Sequence, residues 1–325
     1  MKKYNYVFGV VASRRLGLSL GIDLVPKKYC SLDCVYCEAG ATTNLSLERK
    51  PFVKAEDVIA ELKEVFADSS VKFDYITFSG AGEPTLNSEI GKIIKFIKET
   101  HPEFKLCLLT NALGFGDKEL LADIEHVDLC IPSLDASNND EFQKINRPVS
   151  TLKFEDFIKN LIDYTQKTHA RVVLELFIVP GVNDSDESIE RFCQIIKQMK
   201  LEKVQLNSLD RPGTCDWVKP SNKENTMRFI DALEKFVPVE AVGAFKYKSV
   251  TLCNSIEMSE LQQNIINLIR RRPATVADLS LATNCEAKII NQAMQELLQA
   301  GLVNSERCER GDFWSANVKV EKPIS

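Results

Sequence analysis

The stretch Cys30-Ser31-Leu32-Asp33-Cys34-Val35-Tyr36-Cys37 brings three thiols into eight residues, and it follows the apolar run Leu18–Leu24. That run is typical of a buried strand, so the thiols are expected in one loop at the carboxyl end of the strand. Thiolates bind zinc and iron–sulfur clusters. No histidine lies near them, and the next cysteine is Cys107. The spacing therefore predicts a metal centre with three protein ligands and one open position; a zinc site, the alternative, lacks its fourth ligand.

Outward from this loop, apolar β-branched runs alternate with amphipathic helical patterns from about residue 16 to about residue 250. This alternation is typical of βα units around a parallel sheet. After Leu18–Leu24, the expected strands are Phe73–Ser79, Lys105–Thr110, Val127–Pro132, Arg171–Val179 and Lys203–Leu206, and the clearest helices are Ala55–Ala67 and Asp186–Met199. About six units predict an α/β fold, a partial (βα)6 barrel with a wide lateral opening, short of the eight units of a closed barrel. Functional residues are then expected at the carboxyl ends of the strands.

The pattern changes after about Asn254. Three helical segments follow, near Ile256–Arg271, Val276–Ala282 and Glu286–Ala300, and an extended tail comes after a break at Gly301. This order predicts a winged helix-turn-helix. The predicted domains are therefore a barrel over residues 1–254 and a winged-helix domain over residues 255–325.

The charge balance of the C-terminal segment argues against DNA binding. Residues 255–325 hold eight Lys and Arg side chains against nine Asp and Glu side chains. Phosphate neutralisation dominates affinity for nucleic acids, so this balance makes DNA an unfavourable partner. Recognition of a protein or peptide, and a cap over the barrel opening, are the alternative roles.

The whole chain has the composition of a globular protein, with 44% hydrophobic and 27% charged residues and a net charge of −5. Nothing in this balance favours nucleic acid or an anionic membrane as a general partner. No apolar stretch approaches the roughly 20 residues of a membrane span. Ten cysteines are too few for a disulfide scaffold in a chain of this length. We therefore predict a cytoplasmic protein that does not enter a membrane.

Two motifs together resemble the radical S-adenosylmethionine (radical SAM) superfamily. The first is the C-x3-C-x2-C loop, with Tyr36 just before the third cysteine. The second is Thr77-Phe78-Ser79-Gly80-Ala81-Gly82-Glu83-Pro84-Thr85, similar to the Gly-Gly-Glu-Pro motif of the superfamily with Ala-Gly in place of Gly-Gly. The resemblance implies one [4Fe-4S] cluster on Cys30, Cys34 and Cys37, with S-adenosylmethionine on the open iron. One electron from the cluster would cleave S-adenosylmethionine to a 5′-deoxyadenosyl radical, which abstracts hydrogen from a substrate.

The same resemblance implies the residues that contact S-adenosylmethionine. The turn with Glu83 would receive its amino group, polar residues after later strands its ribose and carboxylate, and a backbone segment at Val179 its adenine. The predicted cofactor-binding residues are Tyr36, Gly80, Gly82, Glu83, Asn111, Ser133, Asp135 and Val179. Judged from the residues alone, turn and helix-capping chemistry is the alternative for the Asn, Ser and Asp among them.

A narrower resemblance, over roughly residues 5–215, is to the branch of radical SAM proteins related to wyosine (tRNA-modifying) synthases. It rests on Phe8–Asp23, Ile145–Pro148 and Val204–Pro212. The tRNA-modifying members bind a second cluster through cysteines upstream of the triplet, and no cysteine precedes Cys30 here. We therefore expect a single-cluster form.

The predicted activity is that of a radical SAM enzyme, an oxidoreductase or a transferase, acting on an unidentified peptide, protein or RNA. Its expected partner is a reductant such as flavodoxin or ferredoxin. Two alternatives stay open: an iron–sulfur sensor with a nucleic-acid-binding winged helix, and an RNA-modifying radical SAM enzyme. Four arginines, Arg14, Arg15, Arg147 and Arg211, are candidates to meet at the barrel mouth and bind an anion. Cys215, in a loop just after a strand, is a candidate for radical relay or substrate contact, with an inert thiol as the alternative.

Overall fold

The computed structural model describes residues 4–13, 16–242, 258–283, 285–308 and 311–317 of the chain. Its strands are β1 (Val7–Ser13), β2 (Gly17–Ile22), β3 (Tyr29–Cys30), β4 (Asn44–Leu45), β5 (Tyr75–Phe78), β6 (Leu106–Thr110), β7 (Leu129–Pro132), β8 (Arg171–Phe177), β9 (Lys203–Asn207), β10 (Val239–Val242), β11 (Ala274–Thr275), β12 (Val303–Cys308) and β13 (Gly311–Ala316). Its α-helices are α1 (Ala55–Ala67), α2 (Ile90–Thr100), α3 (Lys118–Asp123), α4 (Asn139–Ile145), α5 (Phe154–Lys167), α6 (Asp186–Ile196), α7 (Lys223–Leu233), α8 (Met258–Ile269), α9 (Val276–Thr283) and α10 (Ala287–Gln299).

Eight of these strands form one sheet in the order β1-β2-β5-β6-β7-β8-β9-β10. Neighbouring pairs from β2 to β10 are parallel, and β1 pairs antiparallel with β2. The predicted α/β class with a mostly parallel sheet is confirmed. The parallel strands in the described part of the chain number seven instead of six, because Val239–Val242 adds one beside β9. A four-residue strand that contains a glutamate has too little apolar patterning to stand out in a sequence.

Amphipathic helices pack on this sheet with the apolar faces that their sequences space at helical intervals. In α1 the buried residues include Val58, Leu62 and Val65. The predicted helix from Asp186 ends earlier than expected, at Ile196, and a turn follows it. Burial of one large aliphatic side chain stabilises the fold by about 1.5–3 kcal/mol. A core of this kind holds the strand ends, and therefore the loops that follow them, in fixed positions.

The C-terminal residues form a second unit with an apolar core of its own. Its elements run α8, β11, α9, α10, β12 and β13, and its strands form an antiparallel sheet in the order β11-β13-β12. Leu261, Ile290 and Trp314 are buried among them. The winged-helix assignment and the two domain ranges stay predictions. The predicted boundary between residues 254 and 255, and the helix start at Ile256, lie outside the described residues.

Helices α8 and α9 pack against β1, the edge strand of the barrel sheet. Just beyond α8, the Arg271 guanidinium carbon lies 4.2 Å from the centre of the Phe8 ring. The β1 side of the lateral opening is therefore covered, where the sequence alone predicted a wide opening. The reason is that an edge strand with apolar side chains gains free energy when a helix covers it. Within the described ranges, no helix is long and apolar enough to cross a membrane.

Candidate metal centre and cofactor site

Cys30, Cys34 and Cys37 lie in one loop beyond β2, at the carboxyl edge of the parallel sheet. The loop is fastened to the end of α4, because the Val35 amide donates to the Ile145 carbonyl at 2.9 Å. A turn folds its second half, where the Cys37 amide donates to the Cys34 carbonyl at 3.1 Å. Backbone hydrogen bonds thus hold the three thiols in one place.

Each of the three sulfurs accepts a hydrogen bond from a nitrogen on a different segment. The sulfur–nitrogen distances are 3.1 Å from Cys37 to Lys28 Nζ, 3.4 Å from Cys34 to Asn146 Nδ2 and 3.7 Å from Cys30 to Asn111 Nδ2. Donors of this kind stabilise negative charge on sulfur and tune the potential of an iron–sulfur cluster. The residues present therefore fit a cluster held by three thiolates.

Burial raises the pKa of the Cys30 thiol to about 12, with a further contribution from Glu83, and raises the pKa of Cys34 well above its usual value. Such thiols lose their protons when a metal binds, because the metal supplies the positive charge that water cannot. Among the described residues, no three His, Cys, Asp or Glu side chains converge closely enough to hold a single ion. A four-iron cluster does not require the three thiols to converge on one point, because each cysteine binds a separate iron.

The turn after β5 places Gly80 and Gly82 against the cysteine loop. A Cβ atom on Gly82 would lie 2.2 Å from the carbonyl oxygen of Tyr29, so only glycine permits this approach. A Cβ atom on Gly80 would lie 2.1 Å from Asp23 Oδ1. The turn therefore packs directly on the segment that leads from β2 into the cysteines.

Glu83 is buried beside this turn, and its carboxylate accepts four hydrogen bonds. Oε1 accepts from the amide and hydroxyl of Thr85 and from the Thr110 hydroxyl, and Oε2 accepts from the Asn111 amide at 2.8 Å. Burial raises the pKa of Glu83, and these donors oppose the shift. Glu83 therefore joins the turn to the end of β6. Its predicted contact with the amino group of S-adenosylmethionine stays a prediction.

Asn111 and Ser133 follow β6 and β7, and both are half-buried. Asn111 Nδ2 donates to Ser31 Oγ at 2.9 Å as well as to the Cys30 sulfur. The Ser133 amide donates to the carbonyl of Thr110 at 3.0 Å. Both residues are at the carboxyl edge where the sequence predicts them, and their contacts with S-adenosylmethionine stay predictions.

Asp135 is buried at the centre of a network that holds Tyr36. Its carboxylate accepts hydrogen bonds from the Tyr36 hydroxyl, from Asn146 Nδ2 at 2.9 Å and from the Phe177 amide at 3.0 Å. The rings of Tyr36 and Phe177 stack with centroids 3.8 Å apart. Burial raises the pKa of Asp135 to about 6, against the effect of these donors. In this structure Asp135 and Tyr36 orient the cysteine loop; their contacts with S-adenosylmethionine stay predictions.

Val179 follows β8, and its polar backbone atoms are engaged locally. Its amide donates to Asn183 Oδ1 at 2.8 Å, and its carbonyl accepts from the Val182 amide at 3.0 Å. Asn183 Nδ2 also donates to the carbonyl of Asp135 at 2.8 Å, which links this turn to the Tyr36 network. The contact with adenine stays a prediction, and with these backbone groups engaged it would be apolar.

Two of the four arginines singled out in the sequence are described, and they belong to separate ion pairs. Arg147 lies 3.6 Å from Asp33 and donates to the Cys215 sulfur at 3.4 Å. Arg211 pairs at 3.0 Å with both Glu38 and Asp278. Arg14 and Arg15 lie outside the described residues.

Sequence reasoning missed the nitrogen donors Lys28 and Asn146. Lys28 has a left-handed backbone (φ 62°), and its amide donates to the Ala81 carbonyl at 2.9 Å, which fixes it beside the turn after β5. Asn146 is 112 residues from Cys34 along the chain. Lys28 lies just before the cysteine triplet, and Asn146 lies within the motif Ile145–Pro148. No spacing pattern in a sequence relates either residue to a cysteine sulfur.

A cavity of about 280 Å³ lies between the barrel strands and the C-terminal unit. Its wall includes Cys37 and Gly80 from the predicted cofactor site, Leu109 from β6, and Arg271 and Leu279 from the C-terminal unit. The C-terminal unit therefore forms part of the cavity wall, a role that its sequence did not indicate beyond a general cap.

This mostly parallel α/β sheet, with a cysteine triplet in the loop after its first parallel strand, defines an open α/β barrel with three thiols at the carboxyl edge of its sheet. Residues 24–193 match the family model of the radical SAM superfamily, and the chain belongs to that superfamily. Its members use a [4Fe-4S] cluster and S-adenosylmethionine. The predicted superfamily and its two cofactors are thus confirmed, whereas the narrower wyosine-related branch and the single-cluster form stay predictions.

Known relatives match different shares of their own length. A protein named GTPase Obg from Brachyspira hyodysenteriae is 32% identical over 94% of this chain, but the match spans only 44% of that protein. A ribosomal RNA large subunit methyltransferase N from Nitrosopumilus maritimus is 27% identical over 63% of this chain and 58% of its own length. The crystal structure of a radical SAM methyltransferase from Sphaerobacter thermophilus has a TM-score of 0.55 at 20% identity, over 69% of this chain and 65% of that one. This structural likeness confirms the fold.

Proposed function

We propose that this chain is a radical SAM enzyme that binds one [4Fe-4S] cluster on Cys30, Cys34 and Cys37 and cleaves S-adenosylmethionine reductively. One observation carries the proposal: three sulfurs in one loop, each with a nitrogen donor of its own. When bound, the cluster and S-adenosylmethionine would supply a 5′-deoxyadenosyl radical for hydrogen abstraction. Membership of the superfamily supports an enzyme over a sensor.

The side chains and backbone of the protein would contribute to this chemistry by orienting the two cofactors and stabilising their charges. The three nitrogen donors would stabilise the cluster thiolates. The turn after β5, with Glu83 Oε2, would receive the amino group of S-adenosylmethionine, because that oxygen accepts one protein hydrogen bond where Oε1 accepts three. The remaining proposed contacts are Tyr36, Asn111, Ser133, Asp135 and Val179. A reductant such as flavodoxin or ferredoxin, in the cytoplasm, would supply the electron.

The test is anaerobic reconstitution with iron and sulfide, reduction with dithionite, and chromatography for 5′-deoxyadenosine with and without S-adenosylmethionine. The wild-type protein should bind about four irons and form 5′-deoxyadenosine. The Cys37→Ala variant should lose both the bound iron and the formation of 5′-deoxyadenosine. Cys308→Ala is the matched control, because Cys308 is a thiol of the C-terminal sheet, outside the loop, and this variant should behave as wild type.

Two outcomes would contradict the proposal. A Cys37→Ala variant that still forms 5′-deoxyadenosine would exclude the loop as the cluster site. A bound cluster that never cleaves S-adenosylmethionine, and whose spectrum is unchanged when S-adenosylmethionine is added, would favour the iron–sulfur sensor instead.

Methyl transfer to RNA is the second candidate function, favoured by the relative named as a ribosomal RNA large subunit methyltransferase N. S-adenosylmethionine labelled in its methyl group, incubated with the reconstituted protein and total RNA, should then leave label in the RNA. RNA retention should fall steeply with salt, since phosphate contacts release counterions. Absence of RNA binding at low salt would exclude this candidate.

A further inference from the structure

We propose that Lys28 is the buried counter-ion of the cluster: its ammonium group balances the negative charge that three thiolates bring to the loop and favours the reduced cluster. The inference rests on the proposed function, because it assigns a positioning residue of this chain to the cluster on Cys30, Cys34 and Cys37. It goes beyond a hydrogen bond to sulfur, since it concerns a full charge that destabilises the protein when no cluster is bound.

Lys28 is buried, with 5% of its surface exposed. Lysine is almost never fully buried in a folded protein unless a group of opposite charge lies beside it. An ammonium group taken out of water loses hydration free energy, which a nearby anion has to restore. A negative charge close to this side chain is therefore expected.

No carboxylate in the described part of the chain supplies that charge. The Lys28 Nζ forms no ion pair with an Asp or Glu there, and its one hydrogen-bond acceptor among those residues is the Cys37 sulfur at 3.1 Å. Glu83, the buried carboxylate of the neighbouring turn, is instead held by four hydrogen bonds from other groups. The balancing charge is therefore expected at the sulfur.

Main-chain contacts fix Lys28 in this position. Its amide donates to the Ala81 carbonyl at 2.9 Å, and its carbonyl accepts from the amides of Thr43 and Asn44, both at 3.1 Å. Its backbone is left-handed, with a φ of 62°, a conformation unfavourable for a residue with a side chain. The base of the side chain is thus held on several sides, and burial leaves its ammonium group little freedom.

A cluster on this loop would carry the expected negative charge. Three thiolates outweigh the positive charge of the iron–sulfide core, and reduction adds one more electron. A fixed positive charge 3.1 Å from one sulfur favours the reduced form, because the attraction grows with the negative charge. Without a cluster, a neutral thiol leaves the buried ammonium group poorly compensated. Lys28 should therefore stabilise the protein only when the cluster is bound.

The test compares Lys28→Met with the wild-type protein in two states, cluster-free and anaerobically reconstituted. Methionine keeps a side chain of similar length, removes the charge and meets the same backbone strain as lysine. In the reconstituted variant, a redox titration followed by electron paramagnetic resonance should show the one-electron equilibrium shifted at least tenfold toward the oxidised form, a potential lower by about 59 mV. In the cluster-free variant, calorimetry should show a melting temperature at least about 2 °C higher, because the uncompensated charge is gone.

Lys27→Met is the matched control, because Lys27 is the exposed neighbour and water screens its charge. It should shift the electron equilibrium by less than about twofold and leave the melting temperature of the cluster-free protein unchanged. Lys28→Arg keeps the charge and is the second variant if Lys28→Met binds too little iron for a titration. The arginine variant should then recover the iron content.

An unchanged potential in Lys28→Met would overturn the inference, and so would a cluster-free variant that melts at or below the wild-type temperature. If neither methionine nor arginine retained iron, the shape of Lys28 would matter and not its charge, with the same consequence. These outcomes leave the proposed function intact if the wild type forms 5′-deoxyadenosine. A wild-type protein that binds no cluster overturns both proposals, whereas one that binds a cluster and forms no 5′-deoxyadenosine contradicts the proposed function alone.

Discussion

Asn146 shows how one side chain can serve two parts of the site. Its side-chain Nδ2 donates to the Cys34 sulfur at 3.4 Å and to the Asp135 carboxylate at 2.9 Å. Its main-chain carbonyl accepts a hydrogen bond from the Asp33 amide at 2.9 Å. It therefore contacts a cluster ligand and also holds the loop that carries that ligand. Removal of its side-chain amide leaves the backbone contact in place and removes the two side-chain hydrogen bonds, to Cys34 and to Asp135.

We expect Asn146→Ala to lower the reduction potential of the cluster. A donor to sulfur stabilises the reduced, more negative state, so its loss makes reduction harder. The expected shift is on the order of tens of millivolts, since a tenfold change in a one-electron equilibrium is about 59 mV. A redox titration followed by electron paramagnetic resonance measures it. Asn139→Ala, an exposed change on the same helix, is the control, and an unchanged potential in Asn146→Ala would refute the role.

Gly82→Ala should prevent assembly of the cluster. The added methyl group would lie 2.2 Å from the Tyr29 carbonyl, and backbone on both sides leaves little room for either to move. We expect iron content after reconstitution to fall severalfold. Gly301→Ala is the comparison, because Gly301 has a φ of +66° and open space around it, so that variant bears backbone strain without a clash. Equal iron content in the two variants would contradict the steric argument.

At the scale of elements, α9 is joined to the barrel through one buried arginine. Arg211, from the loop after β9, bridges Glu38 beside the last cysteine and Asp278 in α9. Asp278 also accepts a hydrogen bond from the Thr275 amide at 3.1 Å. A buried cation that loses one of two carboxylates is left poorly compensated, so this contact couples the C-terminal unit to the cluster loop.

Asp278→Ala should therefore destabilise the protein by about 2–3 kcal/mol, somewhat less than the 3–5 kcal/mol for a fully buried pair, because Asp278 keeps some exposure to solvent. Urea unfolding measures the loss, and hydrogen exchange should show faster exchange in α9. Glu286→Ala, an exposed carboxylate of the same unit, should change stability by less than about 0.5 kcal/mol. A similar small change in Asp278→Ala would mean that the pair adds no net stability.

At the scale of the whole molecule, the cluster loop is a point where distant parts of the chain meet. Segments after β5, β6 and β7 and the loop after β9 all contact it, and the last of these also reaches the C-terminal unit. A cluster that binds only the folded state stabilises the whole arrangement by mass action.

We expect the reconstituted protein to melt at least about 5 °C higher than the cluster-free protein, given that 1 kcal/mol moves the melting temperature of a chain of this size by roughly 2–4 °C. Anaerobic calorimetry of both forms provides the measurement. Cys37→Ala, treated with iron and sulfide in the same way, should show no increase. An equal increase in that variant would mean that iron binds elsewhere.

The cysteine triplet, the Gly80–Glu83 turn and the alternation of strands and helices were sufficient to predict the α/β class, the superfamily and its cofactors. Each of these depends on neighbours in the chain: thiols a few residues apart must share a loop, and periodic apolar residues must share a face. The seventh parallel strand escaped prediction because four residues carry too weak a pattern.

Only the tertiary structure decided what surrounds the sulfurs and what completes the cavity. Asn146 and Asn111 reach their cysteines across 112 and 81 residues, and Arg271 reaches the barrel from beyond α8. Periodicity in a sequence encodes which residues are buried, but not which distant residue each of them meets. Hydrogen bonds and ion pairs act over a few ångströms in space, so their partners are determined by the packing of the whole chain.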